Sequence, residues 1–181
     1  MKFPKLHLVC SNDDLRPTLN CVCVNKEFTY ATNANILVRH KSSEIFEEDF
    51  ISSLPDKEIL IPATAISIIC KKSTLKISLT DDKQQIKLHQ VDGSIIFYNL
   101  YDDGCVYPNC EKIIPDENKY CSIDKIAINA KLLFYLSEGL GCNVPIMKMY
   151  FYGPSKAILV KSEYCDYVGA IGIIMPCMIN E

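Results

Sequence analysis

Residues 61–100 read IPATAISIICKKSTLKISLTDDKQQIKLHQVDGSIIFYNL. Pro62 suits a first helical position, and Ala65, Ile66, Ile69 and Cys70 recur at helical spacing ahead of Lys71 and Lys72, whose charge complements a helix C-terminus. The period then changes. Leu75, Ile77 and Leu79 alternate over 74–80, and Ile86 and Leu88 over 84–90, around an Asp81-Asp82 turn. Asp92-Gly93 is a two-residue hairpin signal, and 94–100 reads as the returning strand. The unit is one helix followed by a hairpin and a strand.

Residues 127–174 repeat that order. Asn129 is a candidate N-cap, Leu132, Leu133 and Leu136 form an apolar stripe, and Gly139 or Gly141 ends the helix. Strands over 147–152 and 157–161 flank Gly153-Pro154-Ser155, and 167–174 reads as a final strand. The N-terminal part supplies strands without a clear helix: a short alternating stretch over 6–10, a hairpin over 19–24 and 28–32, and a further strand over 36–40. Asp13-Asp14-Leu15-Arg16-Pro17 is too short and proline-interrupted to replace the helix. The acidic, polar stretch 41–58 is expected to be a long connecting loop, and the turn- and proline-rich 101–120 a boundary between units. The sequence therefore predicts an α+β chain of three helix-plus-strands units, the first abbreviated.

The chain has 181 residues, of which 49% are hydrophobic and 23% charged, with a net charge of −3. That composition suits a folded core and excludes disorder and coiled coil. No run of about 18 apolar residues suggests a membrane span. Lys2, Pro4 and Lys5 interrupt the apolar stretch that an export signal needs, so a cytoplasmic location is expected. Ten cysteines are present, without a C-x-x-C pair. They are expected to pack as free, small hydrophobes, with Cys21 and Cys23 on one strand face; neither a metal nor another cofactor is implied.

No phosphate-binding glycine loop, nucleophile elbow or H-E-x-x-H helix occurs. Asp13-Asp14, Asp81-Asp82 and Asp102-Asp103 lie in turns, where aspartate is favoured by the backbone. His40 and His89 read as surface or rim residues. A catalytic role is not expected.

Several segments, in order, carry a resemblance. Leu15-Arg16-Pro17-Thr18-Leu19-Asn20-Cys21-Val22 and Tyr30-Ala31-Thr32-Asn33-Ala34-Asn35-Ile36-Leu37 resemble the L-N-G-V-L and A-T-D-G-H-R-L stretches of bacterial DNA polymerase III β sliding clamps. Residues 103–115 (DGCVYPNCEKIIP) are similar to that family's D-G-x-F-P-D-Y-x-x-V-I-P junction, and Asn129-Ala130-Lys131-Leu132-Leu133 to its N-P-x-Y-L helix start. Residues 173–179 (IIMPCMI) resemble the closing V-V-M-P-M-R-L. Three positions depart from the pattern, Ala34, Asn35 and Met178, which stand where the family has glycine, histidine and arginine.

The resemblance implies a truncated clamp-like protein with the DNA-clamp (processivity-factor) fold, built of two-layer units of antiparallel sheet with short helices. Residues 1–115 would be a complete clamp-like domain resembling the second, with its first helix reduced. Residues 116–181 would be the C-terminal half of a third. It further implies a noncatalytic role in DNA replication as a processivity or tethering factor, with Lys71, Lys72 and Lys131 facing the backbone of double-stranded DNA. An apolar peptide cleft for a polymerase or repair protein would comprise Leu19, Thr32, Leu37, Pro108, Ile113, Ile173, Met175, Pro176, Cys177 and Met178. The alternative is a clamp-fold interaction module, a decoy or adaptor that does not encircle DNA. The half-domain that the resemblance leaves out predicts self-association, or a packing in which the last unit folds back on the first.

Overall fold

The computed structural model describes residues 3–71, 73–116, 118–123, 125–144 and 146–178. Strands β1 (Cys21–Val24), β2 (Phe28–Thr32) and β3 (Ile36–Lys41) form an antiparallel meander. Two short helices, α1 (Ser42–Ile45) and α2 (Glu48–Ser53), lead to β4 (Ile59–Pro62), which returns to pair with β1. Helix α3 (Ala63–Ile69) then precedes β5 (Thr74–Leu79), β6 (Gln85–Gln90) and β7 (Ile95–Asn99), a separate three-stranded sheet. Helix α4 (Ala130–Leu140) is followed by β8 (Lys148–Tyr150), β9 (Ile158–Lys161) and β10 (Ile171–Ile174).

The last three strands do not form a sheet of their own. β10 pairs with β3, giving a seven-stranded antiparallel sheet in the order β4-β1-β2-β3-β10-β9-β8. Val22, Val24, Ala31, Ile36, Val38, Ile158, Val160 and Ile174 point to its inner face and pack with Ile66 of α3 and Leu136 and Leu140 of α4. That core also takes in Leu79, Ile86 and Leu88 from the smaller sheet.

Local chemistry explains where α4 begins and ends. The Asn129 side-chain oxygen accepts from the N–H groups of Lys131 and Leu132, and Gly141 closes the helix in the left-handed region at φ 72°. Gly139 has a different task. A Cβ there would lie 2.4 Å from one methyl of Val9 and 3.2 Å from one of Val38, so its lack of a side chain lets α4 rest on β3 and the N-terminal segment.

Four expectations change. Residues 6–10 do not form a strand: Leu6–Leu8 is a 3-10 turn, which buries both Leu6 and Val9, positions that a strand would send to opposite faces. The stretch 41–58 is not an open loop, because Ile45, Phe46, Phe50 and Leu54 bring α1 and α2 onto the core. Pro62 ends β4 and caps α3 rather than opening it. His40 is not a rim residue. It lies on the inner sheet face, fully buried, with Nε2 2.8 Å from the Gly139 carbonyl oxygen and its ring edge-on to Tyr167.

Two predictions follow from this packing. Gly139→Ala gains intrinsic helix propensity yet should destabilise the fold by about 1–3 kcal/mol, because Val9 and Val38 are stiff β-branched neighbours; denaturant unfolding measures the sign. Burial lowers the His40 pKa from 6.5 to about 4, so the unfolded chain takes up this proton first. Stability should be full above pH 6.5 and decline as the pH falls toward 4, by on the order of 3 kcal/mol. His40→Gln, which retains a donor for the Gly139 carbonyl, should flatten that profile in urea titrations at pH 7 and 4.5.

Candidate interaction surface

The opposite, outer face of the large sheet carries the second apolar cluster. Strand register sets its rows. Thr32 pairs with Leu37, Leu37 with Ile173, Ile173 with Leu159, and Leu159 with Tyr150. The adjoining row runs Leu60, Cys23, Tyr30, Arg39, Ile171. Cys21 and Cys23 share this face, as alternation predicts.

The segment after β7 crosses these rows. The Tyr101 N–H donates to the Leu60 carbonyl at 2.9 Å, and Tyr107 and Cys110 are buried against the sheet. A 3-10 turn over Cys110–Ile113 is capped by the Asn109 side chain. Glu111 pins it in place: its carboxylate accepts from Arg39 Nη1 at 2.8 and 3.0 Å and from the Tyr30 hydroxyl at 2.8 Å. The Arg39 guanidinium also lies 4.6 Å from the Phe28 ring centroid. Burial and the Glu111 carboxylate together push the Tyr30 hydroxyl pKa upward.

The ten expected cleft positions divide into two sets. Leu19, Thr32, Leu37 and Ile173 are only 5%, 7%, 3% and 1% exposed. Three of them form the first row, Leu19 joins the same cluster, and the Thr32 hydroxyl donates to the Ile36 carbonyl at 2.6 Å. Ile113, Met175 and Met178 are 46%, 37% and 79% exposed. Pro108 and Cys177 are also exposed, and Pro176 is half-buried. The Met175 N–H donates to the Asn35 carbonyl at 2.9 Å and the Cys177 N–H to that of Ala127 at 2.8 Å, which directs the chain past the β2–β3 turn. None of the ten lines the cavity of about 540 Å³ between α2, α3 and β5, walled by Phe3, Phe46, Phe50, Ile69, Leu75 and Tyr167 among others.

Among the described residues, the helix layer offers few cations. Lys71 is exposed just beyond α3, and Lys131 stands exposed in the first turn of α4 with its Nζ 5.6 Å from the Tyr135 ring centroid. Lys72 lies outside the described residues. Glu138, further along α4, is ion-paired with Lys5.

The aspartates serve turns. Asp82 accepts from the Thr80 hydroxyl and the Gln84 N–H, Asp102 from the Gly104 N–H, and Asp13 from the Leu15 N–H. Among the described residues, no group of three or more His, Cys, Asp or Glu could hold a metal ion, and no helix is long and apolar enough to cross a membrane. Composition did not mark two features of the surface: the Glu111–Arg39–Tyr30 clasp, and Val106, which is 85% exposed. Glu111 sat within the quoted junction motif, but charge alone could not assign its partners.

No family model matches the sequence, and no curated protein matches it. Solved structures do. The pol III beta of Caulobacter crescentus superposes with a TM-score of 0.70 at 14% identity, over 97% of this chain and 63% of that one. The beta clamp of Helicobacter pylori bound to a DNA ligase peptide gives 0.68 at 15% identity, over 97% and 62%. The sliding clamp of Bacillus subtilis gives 0.60 at 14%, over 98% and 64%. The chain has the sliding-clamp fold. It spans less than two-thirds of the length of each of these clamps.

Within this clamp fold the Glu111 clasp is open to test. Glu111→Ala leaves a largely buried Arg39 and the Tyr30 hydroxyl without their acceptor. It should cost about 1–2 kcal/mol and make 101–114 the first segment cut in limited proteolysis. Intact-length protection equal to that of the parent would refute the clasp.

Proposed function

We propose that this chain is a noncatalytic, clamp-like tethering protein that captures short linear motifs of replication or repair proteins on its outer face. The observation that carries this reading is the packed Thr32–Leu37–Ile173 row of the outer face, with Met175 exposed directly after β10 and Ile113 and Met178 exposed in the flanking segments. Flexible methionines beside a rigid sheet make an adaptable seat for aromatic or leucine anchors. The peptide-bound Helicobacter pylori clamp, a structural neighbour, lends support to that ligand class. The division into residues 1–115 and 116–181, self-association and a cytoplasmic setting belong to the same proposal.

A second reading, supported by Lys71 and Lys131 exposed on the helix layer, is direct association with duplex DNA as a processivity factor. The alternative, an adaptor that does not encircle DNA, draws support from the small number of cations there. Phosphate contacts lose strength steeply with salt, so the two are separable.

Fluorescence anisotropy with a labelled DNA ligase peptide tests the capture reading. The chain should bind, and Met175→Ala with Met178→Ala should weaken binding about tenfold without moving the thermal midpoint. Unchanged affinity in that double variant would overturn the assigned seat. Retention on circular but not linear duplexes, measured at several salt concentrations beside an oligomer mass, supports encirclement; no retention supports the adaptor.

A further inference from the structure

Immediately beyond the α4 cap, Cys142 forms an isolated antiparallel bridge with Cys165 in the segment leading to β10. The bridge is continued by the Asn143 N–H, which donates to the Tyr164 carbonyl at 3.1 Å, and by a hydrogen bond from the Asn143 amide to Asp166. Residues directly opposed in an antiparallel pair have Cα atoms roughly 4.5–5.5 Å apart, inside the range of about 4.4–6.8 Å that a disulfide spans. Both thiols are half-buried at the margin of the main core. Cys165 Sγ lies 2.6 Å from the Leu140 carbonyl oxygen and accepts from the Tyr167 N–H at 3.4 Å, which fixes its position.

We propose that Cys142 and Cys165 are a reversible redox site that takes a low-molecular-weight disulfide of the oxidised-glutathione type and closes to an intramolecular disulfide. The Cys142 thiolate attacks one sulfur of the oxidant, whose S–S bond breaks and releases one glutathione, which takes up a proton. Cys165 then gives up its proton and attacks Cys142 Sγ in the mixed disulfide, releasing the second glutathione. Two protein thiols are oxidised and one small disulfide is reduced to two thiols.

The environment assigns the roles. Hydrogen bonding with Cys165, helped by Ser162, lowers the Cys142 pKa against burial and the charge of Glu138, whereas the Cys165 thiol is pushed up. Glu138, itself paired with Lys5, and Asp166 are the charged side chains beside the pair. Three other thiols are poorer candidates: burial raises Cys21 to about 11 and Cys110 to about 12, and Asp103 raises Cys105. Closure staples the C-terminal end of α4 to the approach to β10 and rings off residues 142–165, which contain the β8–β9 hairpin.

The test uses the full chain, reduced and then treated with oxidised glutathione at pH 7, alkylated and mapped by mass spectrometry. Fragment-ion sequencing separates Cys165 from Cys177. A Cys142–Cys165 cross-link should form first, raise the thermal midpoint by about 5 °C and disappear with dithiothreitol. Cys165→Ser should stall with one glutathione on Cys142, and in the parent chain Cys142 should be alkylated faster than Cys165. The site is overturned if Cys142 is recovered as a free thiol while Cys105, Cys121 or Cys177 carries the glutathione. A Cys165→Ser adduct found elsewhere overturns it equally.

Discussion

Residues 36–39 of β3 and 171–174 of β10 lie far apart in the chain yet pair directly, Ile36 with Ile174, Leu37 with Ile173, Val38 with Gly172 and Arg39 with Ile171. Helix α4 and the 101–114 segment both lean on that junction. All four β10 residues are buried, which is the signature of a strand covered on both faces. On the inner face, α4 can approach because a glycine lies on each side of the contact, Gly139 in the helix and Gly172 in β10. Gly139 admits Val9 and Val38, and a Cβ at Gly172 would meet Leu136 and Leu140 at 3.1 Å. On the outer face, Glu111 draws the 101–114 segment onto Arg39, a member of the junction itself. The pairing thus unites the first and last units of the chain into one layer, with helices on one side and an extended segment on the other.

Much of this was legible. The change from helical to alternating period located α3, α4 and the β5–β7 meander; Asn129 marks the start of α4, and of the two candidate ends, Gly139 and Gly141, the second closes it. The quoted motifs indicated the clamp fold and selected Thr32, Leu37 and Ile173, which share one row. What sequence could not supply was partnership between distant elements. Nothing in His40 reveals that α4 will cover it, and local pattern favoured a rim position. Likewise Leu6–Cys10 alternates as a strand would, but burial of Leu6 and Val9 under the helices outweighs that local preference. The clasp made by Glu111 is a contact between positions 30, 39 and 111, and no spacing rule connects them.

The candidate surface combines two kinds of mobility. Ile113 belongs to a turn fixed on one side by the Asn109 cap and on the other by the Glu111 clasp, so its exposed side chain costs little further ordering on binding. Met175 and Met178 follow the last strand and are held mainly through the backbone, by bonds to Asn35 and Ala127. Their side chains keep the freedom to repack that suits variable anchors. A fixed anchor at Ile113 and adaptable ones at Met175 and Met178 suit the proposed recognition of a short motif by a few side chains, with the filled rows of the sheet contributing rigidity rather than a deep pocket.

Charge distribution separates this surface from the helix layer. Lys131 sits on α4 and Lys71 just beyond α3, whereas on the outer face Arg39, its side chain largely buried, is neutralised by Glu111. For the proposed peptide seat, affinity would rest on apolar contact, and the Arg39–Glu111 pair of the same face is already neutralised, so screening by salt would weaken it little. For the proposed duplex contact, the helix layer, where among the described residues Lys71 and Lys131 are exposed and Glu138 pairs with Lys5, would be the face that salt screens. Ionic strength therefore separates the two proposals, because it acts on the phosphate contacts of the second and leaves the apolar contacts of the first.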